Sequence, residues 1–500
     1  MAIQVGGASL SGFIFWPLAT ISLAIAGLLL LVLYNLTLHP LRSYPGPKLW
    51  AATRIPYALM ILRGEPHTTI LALHQRYDAD IIRVSPNELS FLHPDSWKDI
   101  MGHRKAGSLE NEKDPDFSEV HRSDIIAANR EDHSRYRRIL SNGFSAKNML
   151  EQQPIIRGYI DLFIDRLRAL AAKGDGPVNM VAWYNYTTFD IIGDLAFGDS
   201  FGCLENSEYH PWVSLIFENI KMINMFKLAR SFGFLAPLLS RFVPKGLVER
   251  GMSHKALVSQ KVQRRMELGT PRPDFAESMI KKGAEPLSRL EMDENSSTLI
   301  IAGSETTATA LSGATYLLTT NPDKLAKLVA EVRGSFTSDD EIDITGTAKL
   351  EYLHAVLEES LRMYPPVPIA LPRITPPTGQ EILGRWIPGN TTLGITQWAI
   401  FHSEKLFSRP FEFHPERWLG SDPSFASDRL DAVKPFHFGP RNCIGSNLAY
   451  AEMRMMLARV IWNFDLELEP ESRDWTDQKC YLFWEKPALM VHLKPRQTLV

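Results

Sequence analysis

The chain lacks charge where it begins. No Asp, Glu, Lys or Arg occurs among the first 41 of its 500 residues, so nothing there opposes transfer into hydrocarbon. Cysteine is scarce: Cys203, Cys443 and Cys480 are too few, and odd in number, for a disulfide framework, and they suit a reducing compartment. Net charge is nearly absent. The 54 basic and 57 acidic residues leave −3, which removes the basic excess expected of a nucleic-acid binder. Beyond residue 50 there is no low-complexity tract, Gly/Ser linker or internal repeat. No G-x-G-x-x-G run follows a strand, so the chain brings no flavin or dinucleotide site of its own. With 45% hydrophobic and 22% charged residues it is not a disordered polymer, and it has material for a large core.

What is present starts with residues 13–34, an almost continuous apolar run. At 1.5 Å per residue this spans a hydrocarbon layer of about 30 Å. A cleaved signal would carry a basic n-region and a shorter run. Arg42, Lys48 and Arg54 follow the run and no basic residue precedes it, so the positive-inside rule places the body in the cytosol. Pro40, Pro45 and Pro47 then predict a stiff, non-helical spacer. The organisation expected is a membrane anchor over 1–36, a Pro-rich linker over 37–50 and one large body over 51–500. Asn35, Asn185, Asn295 and Asn390 head formal glycosylation sequons, and the last three would lie on the unmodified side.

Periodicity predicts a body that is mainly α with small β-sheets. Helices are expected over 67–77, 130–171, 179–197, 212–226, 248–267, 293–320, 349–363 and 445–462. Residues 81–84 and 88–91 flank Ser-Pro-Asn and predict a hairpin, and 481–493 alternates as strands do.

One thiol is placed unlike the others. In PFHFGPRNCIG, Cys443 lies between Gly439 and Gly445, just ahead of a predicted helix whose dipole and free N–H groups favour a thiolate. The glycines remove Cβ atoms where a flat ligand or a tight backbone approaches, and Arg441 offers charge to an anionic group. Zinc would need several Cys or His close by. A single thiolate suits an axial bond to haem iron, while a lone cysteine taken by itself reads first as a buried inert thiol, as Cys203 and Cys480 do.

The segment resembles the haem-binding loop of the cytochrome P450 family, F-x-x-G-x-R-x-C-x-G, at every fixed position: Phe436, Gly439, Arg441, Cys443 and Gly445. Further motifs follow the family's order over nearly the whole chain. Ala302-Gly-Ser-Glu-Thr-Thr307 resembles A/G-G-x-D/E-T-T/S. There the Thr306 hydroxyl can bond back to the Ala302 carbonyl and open space for water, and Glu305 beside it can relay protons. Glu359 and Arg362 resemble E-x-x-R on one helix face. Arg417, in PERW, is their expected third member, with Trp418 where the family often has Phe. His133 and Arg137 stand where a propionate-binding Trp and Arg are usual, His133 with a charge that would vary near neutral pH. Arg373 resembles the family's other propionate-binding arginine.

The resemblance implies a cytochrome P450 fold with an N-terminal transmembrane helix, haem b ligated by Cys443, and a monooxygenase drawing NADPH-derived electrons from a membrane-bound NADPH–cytochrome P450 reductase, with cytochrome b5 as a further donor. Arg130, Arg135 and Arg138 are candidates for a docking face. Met222, Met225, Phe226, Phe232, Phe234 and Leu235, with residues 367–371, predict apolar substrate walls and a lipophilic substrate. The layout is similar to the microsomal fungal, isotrichodermin-hydroxylase-like group that tailors terpenoids, polyketides and alkaloids, which implies residence in the endoplasmic reticulum membrane. Two other readings stay open: a haem-thiolate isomerase or dehydratase needing no reductase, and a non-catalytic membrane haem sensor.

Overall fold

The computed structural model describes residues 10–104, 109–115, 123–174, 176–210, 245–269, 271–280 and 286–496. The expected helix over 212–226 and the substrate-wall residues Met222, Met225, Phe226, Phe232, Phe234 and Leu235 lie outside them.

The apolar run forms one helix, Leu10–Thr37. Its stretch Leu18–Thr37 has a mean hydropathy of 2.1 and is long enough to cross a membrane, and Leu23, Leu29 and Leu30 are exposed along it. The helix end is clasped by the body. Asn35 is buried; its Nδ2 donates to the Ala52 carbonyl at 2.9 Å, and its own carbonyl accepts from Arg83 Nη1 at 2.9 Å. The Pro-rich segment is not a free linker. Leu41 is fully buried, the Pro45 carbonyl accepts from the Arg83 amide at 2.7 Å, and a helix, Lys48–Ala52, starts inside the stretch expected to be non-helical.

The longest helix of the body, Arg289–Thr319, is started by a capping box in which Ser288 and Glu291 satisfy each other's backbone N–H. Small residues let neighbours approach its axis. A Cβ on Gly303 would sit 2.8 Å from Ile192, and one on Gly313 would sit 2.5 Å from the Tyr364 ring. Met180–Phe197 packs along it, as do Glu351–Met363 and Ser446–Asn463. The single helix expected over 130–171 breaks into Arg130–Leu140 and Ala146–Lys173. Gly143 sits in the break, and the Ser145 hydroxyl restarts the helix by accepting from the Asn148 amide.

The sheets are small. β1 (Ile81–Ser85) and β2 (Glu88–Phe91) form the expected antiparallel hairpin. With β3 (Glu112–Lys113), β5 (Arg373–Ile374) and β8 (Thr392–Gly394) they make a five-stranded sheet in the order β1-β2-β8-β5-β3. Its β3–β5 register sets Lys113 opposite Arg373. β4 (Val178–Asn179), β9 (Phe464–Leu468) and β10 (Met490–Pro495) form a second sheet, and β6 (Gln380–Ile382) pairs with β7 (Arg385–Ile387). Of the tail expected to alternate from 481, only β10 forms a continuous strand; before it there is a single bridge, Cys480 to Trp484.

Candidate functional site

The cysteine loop is built by its own backbone. The Cys443 amide donates to the Phe436 carbonyl at 2.8 Å, and the Asn442 amide to the Gly439 carbonyl at 3.1 Å. Gly439 has φ +81°, and a Cβ there would fall 1.9 Å from the Met101 carbonyl oxygen. Its glycine is therefore demanded by the neighbouring helical turn Trp97–Met101, the tight backbone approach that was one of the two alternatives for it. At Gly445 a Cβ would meet the Phe144 ring and the Cys443 sulfur only at ordinary contact distances, 3.7 and 3.9 Å. The protein's own atoms leave room there. Gly445 is the N-cap of Ser446–Asn463, so the thiol precedes a helix as expected. Although Cys443 lies deep in the fold, its side chain faces open space in a cavity. Burial pushes the thiol pKa up, with the Gly445 N–H and the Arg137 charge opposing.

That cavity, of about 310 Å³, is enclosed between the loop and the long helix. Cys443 and Phe436 line it from one side; Ala302, Gly303 and Thr306 line it from the other. Thr306 Oγ1 donates to the Ala302 carbonyl at 2.6 Å, as its spacing predicted. Val367 and Leu371 form part of an apolar wall with Ile192 and Leu299. Glu305 is elsewhere. It does not line the cavity but is buried in an ion pair with Lys486, while Thr309 Oγ1 donates to it at 3.3 Å. Burial raises the Glu305 pKa and Lys486 opposes this. The sequence-adjacent acid and hydroxyl are thus not brought to one place: Thr306 faces the cavity and Glu305 faces a lysine 181 residues further on.

One rim of the cavity is crowded with basic side chains. Lys113, His133, Arg137, Arg373, His437 and Arg441 all line it. Arg441 pairs with Glu110 at 2.8 Å and donates to the Ala128 carbonyl at 2.8 Å. Arg137 makes two 2.6 Å bonds to Asn442. Lys113 is held well below its usual pKa by burial and by the charges of Arg373 and Arg441. Arg373 is lowered to about 10 by burial and by Arg441. His133 was expected to titrate near neutrality; burial, then Arg441 and Lys113, lower it to about 3, so it stays neutral. Cations that depress one another in a buried rim fit a ligand carrying carboxylates, as haem does through its propionates. The cavity opposite offers one thiol for the iron. The donor set present therefore fits the group that the sequence implied.

Beneath the loop, Glu359, Arg362 and Arg417 are fully buried together. Arg362 grips the carboxylate through Nη2 at 2.7 Å and Nε at 2.9 Å, and donates to the carbonyls of Phe401 and Pro410. Arg417 Nε donates at 3.4 Å and its Nη1 pairs with Asp428. Trp418 Nε1 adds a bond at 2.9 Å, which a phenylalanine could not make. Burial alone would raise the Glu359 pKa; Arg362, Arg417 and Trp418 outweigh it and hold it below the usual range. Arg135 departs from the docking face expected of it: it is tied inward to Glu291 and Asp132, while Arg130 and Arg138 line an open polar hollow beside the cysteine loop. Sequence reasoning missed Lys113, His437, Trp418 and Lys486. Trp418 and His437 stood inside recognised motifs, at positions to which no role was given.

A family model described as Cytochrome P450 matches residues 45–493. The chain is 47% identical over 488 residues to "Trichothecene C-15 hydroxylase" of Fusarium sporotrichioides, covering 96% of this chain and 99% of that protein. It is 44% identical to "Cytochrome P450 monooxygenase astJ" of Aspergillus oryzae, over 93% of this chain and 94% of that one. It is also 44% identical to "Averantin hydroxylase" of Dothistroma septosporum, over 97% and 93%.

Proposed function

The chain belongs to the cytochrome P450 family and is a monooxygenase of secondary metabolism, and from that premise we propose that it inserts one oxygen atom from O2 into a lipophilic terpenoid, polyketide or alkaloid intermediate. The observation that carries this is the lone thiol, Cys443, facing Thr306 across an apolar cavity with a cationic rim. The family uses haem with a cysteine thiolate and electrons from a redox partner. The finer reading is haem b on Cys443, with NADPH electrons delivered by a membrane-bound reductase. Bound there, the group supplies O2 activation, which a thiolate ligand favours.

The residues of the chain do the rest. Cys443 would hold the iron of that group, its loop locked by the Gly439 approach to Met101. Lys113, Arg373, Arg441 and neutral His133 would hold its carboxylates at the rim, with Arg137 bracing the loop through Asn442. The Thr306 hydroxyl stands at the cavity face to hold a water or pass a proton. Glu305 can serve that hydroxyl only by leaving Lys486. Ile192, Leu299, Val367 and Leu371 keep water out and accept an apolar skeleton. The N-terminal apolar helix is compatible with a membrane anchor, which we place in the endoplasmic reticulum with the body in the cytosol.

The test is expression beside a reductase, with candidate intermediates supplied. Reduced enzyme under carbon monoxide should show the red-shifted Soret band of thiolate-bound haem, and Cys443→Ala should lose it. Product should appear only with NADPH and carry isotopic oxygen from labelled O2. Turnover without NADPH would mark an isomerase or dehydratase and overturn the proposal.

A further inference from the structure

The wall made by residues 367–371 is apolar, and one polar side chain is set against it. β8 runs on into a short helix, Gln397–Phe401, of which Gln397 is the first residue. The Trp398 amide donates to the Pro368 carbonyl at 3.0 Å, and a Cβ on Gly394 would lie 3.2 Å from that of Ala370. These contacts pin the start of the helix alongside the wall. Gln397 lines the cavity together with Pro366, Val367 and Leu371, and it is 2% exposed.

Its carbonyl oxygen, Oε1, is fully buried and has no hydrogen-bond partner. Other side chains carry such an orphaned atom, but among the described residues only Gln397 carries one and also lines the cavity. The other amide in the lining, Asn442, is engaged: its oxygen accepts from Arg137 at 2.6 Å. A buried amide carbonyl without a partner costs free energy that an apolar side chain of similar size would not. Local packing therefore gives no reason for a glutamine here, and a ligand does. The missing partner must be a donor. The carboxylates that the basic rim would hold are acceptors only and cannot supply it, and an aliphatic skeleton cannot either. A hydroxyl can, and it has lone pairs left for the Gln397 NH2 group.

We propose that Gln397 is a specificity-determining residue, which takes a hydrogen bond from a hydroxyl already present on the otherwise apolar substrate. The substrate class narrows from a lipophilic molecule to an alcohol or phenol on an apolar skeleton. Val367, Leu371, Ile192 and Leu299 hold the skeleton, and the amide fixes which end of it lies at the 367–371 wall. A skeleton without the hydroxyl leaves the carbonyl unpaired, and a site built to pair a hydroxyl rejects the analogue that lacks it. A hydroxyl-forming step must then come before this one in the reaction sequence.

Gln397 has this role only within the monooxygenase reading proposed above, and the experiment keeps the two apart. The red-shifted Soret band of the reduced carbon monoxide form is recorded first. Its absence from the wild type would defeat the monooxygenase reading and the role of Gln397 with it; with the band present, Gln397 is judged by dissociation constants. Holoenzyme of the wild type, Gln397→Leu and Gln397→Met is titrated calorimetrically with farnesol and with 2-naphthol, each beside its methyl ether. The ether keeps the skeleton and the oxygen and loses the hydrogen to donate. In the wild type at least one of the two hydroxyl compounds should bind about tenfold more tightly than its ether, the worth of one hydrogen bond at about 1.4 kcal/mol. Gln397→Leu should abolish that preference by weakening the hydroxyl compound about tenfold and leaving the ether unchanged. Its urea midpoint without ligand should be no lower than that of the wild type, because an unpaired carbonyl has been removed. If Gln397→Leu fails to load haem, Gln397→Met decides. Failure of both, or a lowered midpoint, would make the amide part of the framework and overturn the proposal. Equal binding of hydroxyl compound and ether by the wild type, for both pairs, would leave water as the partner of the carbonyl and overturn it. A preference that survives in Gln397→Leu would overturn it as well.

Discussion

Trp418→Phe is the sharpest perturbation of the buried ionic network. The Glu359 carboxylate accepts from Arg362 twice, from Arg417 Nε, from the His414 amide at 3.1 Å and from Trp418 Nε1 at 2.9 Å. Phenylalanine fills much of the same space and deletes only the last of these. A hydrogen bond to a charged group contributes about 1.5–3 kcal/mol, and no water can replace it where Glu359 is fully buried. We expect a loss of about 2 kcal/mol, less than the 3–5 kcal/mol or so for Arg362→Lys, which breaks the bidentate grip. The assay is the urea midpoint at which the thiolate-haem spectrum is lost. There is also an acid limb. Glu359 has a folded pKa below its unfolded value, so it stabilises above about pH 4.3 and that stability drains away as pH falls through the folded value. Removing the Trp418 bond raises the folded pKa, and the acid limb moves up accordingly. A variant with the urea midpoint and acid limb of the wild type would show that Trp418 merely packs.

Three further outcomes follow from the geometry. Gly439→Ala should yield protein without the red-shifted Soret band, because the left-handed backbone costs about 1–2 kcal/mol before the clash with Met101 is counted; normal haem loading would refute the close approach. Lys486→Met strands Glu305 in a buried site and should destabilise by about 3–5 kcal/mol at neutral pH. Since the folded pKa of Glu305 then climbs further, the deficit should widen between pH 5 and pH 8, and Glu305→Gln in the same chain should restore the urea midpoint; an equal deficit at both pH values would count against it. Arg135→Glu should weaken the start of the long helix by about 1–3 kcal/mol, because it sets a carboxylate against Glu291. Arg138→Glu should slow reductase-driven turnover while the thiolate-haem spectrum is kept; slowed turnover from Arg135→Glu with none from Arg138→Glu would restore Arg135 to the docking face.

The parts of this protein that could be read from its sequence are those carried by neighbours along the chain. The apolar run, the hairpin around Ser-Pro-Asn, the Thr306 back-bond and the Glu359–Arg362 grip all depend on spacings of a few residues. What escaped depends on distance. Lys486 reaches Glu305 from the C-terminal segment, and nothing local marks either residue for the other. Glu452 sits in a helix whose apolar stepping hides a buried acid. The neutral state of His133 is set by burial, and then by the charges of Arg441 and Lys113 from other segments. Asn321-Pro322 ends one helix and also starts the next, Pro322–Ser335, where proline is tolerated in the first turn.

The grip of Arg83 on the Asn35 carbonyl carries the stiffness expected of the Pro-rich spacer up to the end of the apolar helix, which becomes a rigid boom. A helix that meets a thinner or thicker bilayer changes its tilt, and here the whole body must swing with it. On the proposed membrane placement, the angle at which an apolar substrate would reach the cavity depends in part on bilayer thickness, and loosening that grip with Arg83→Ala would uncouple the two.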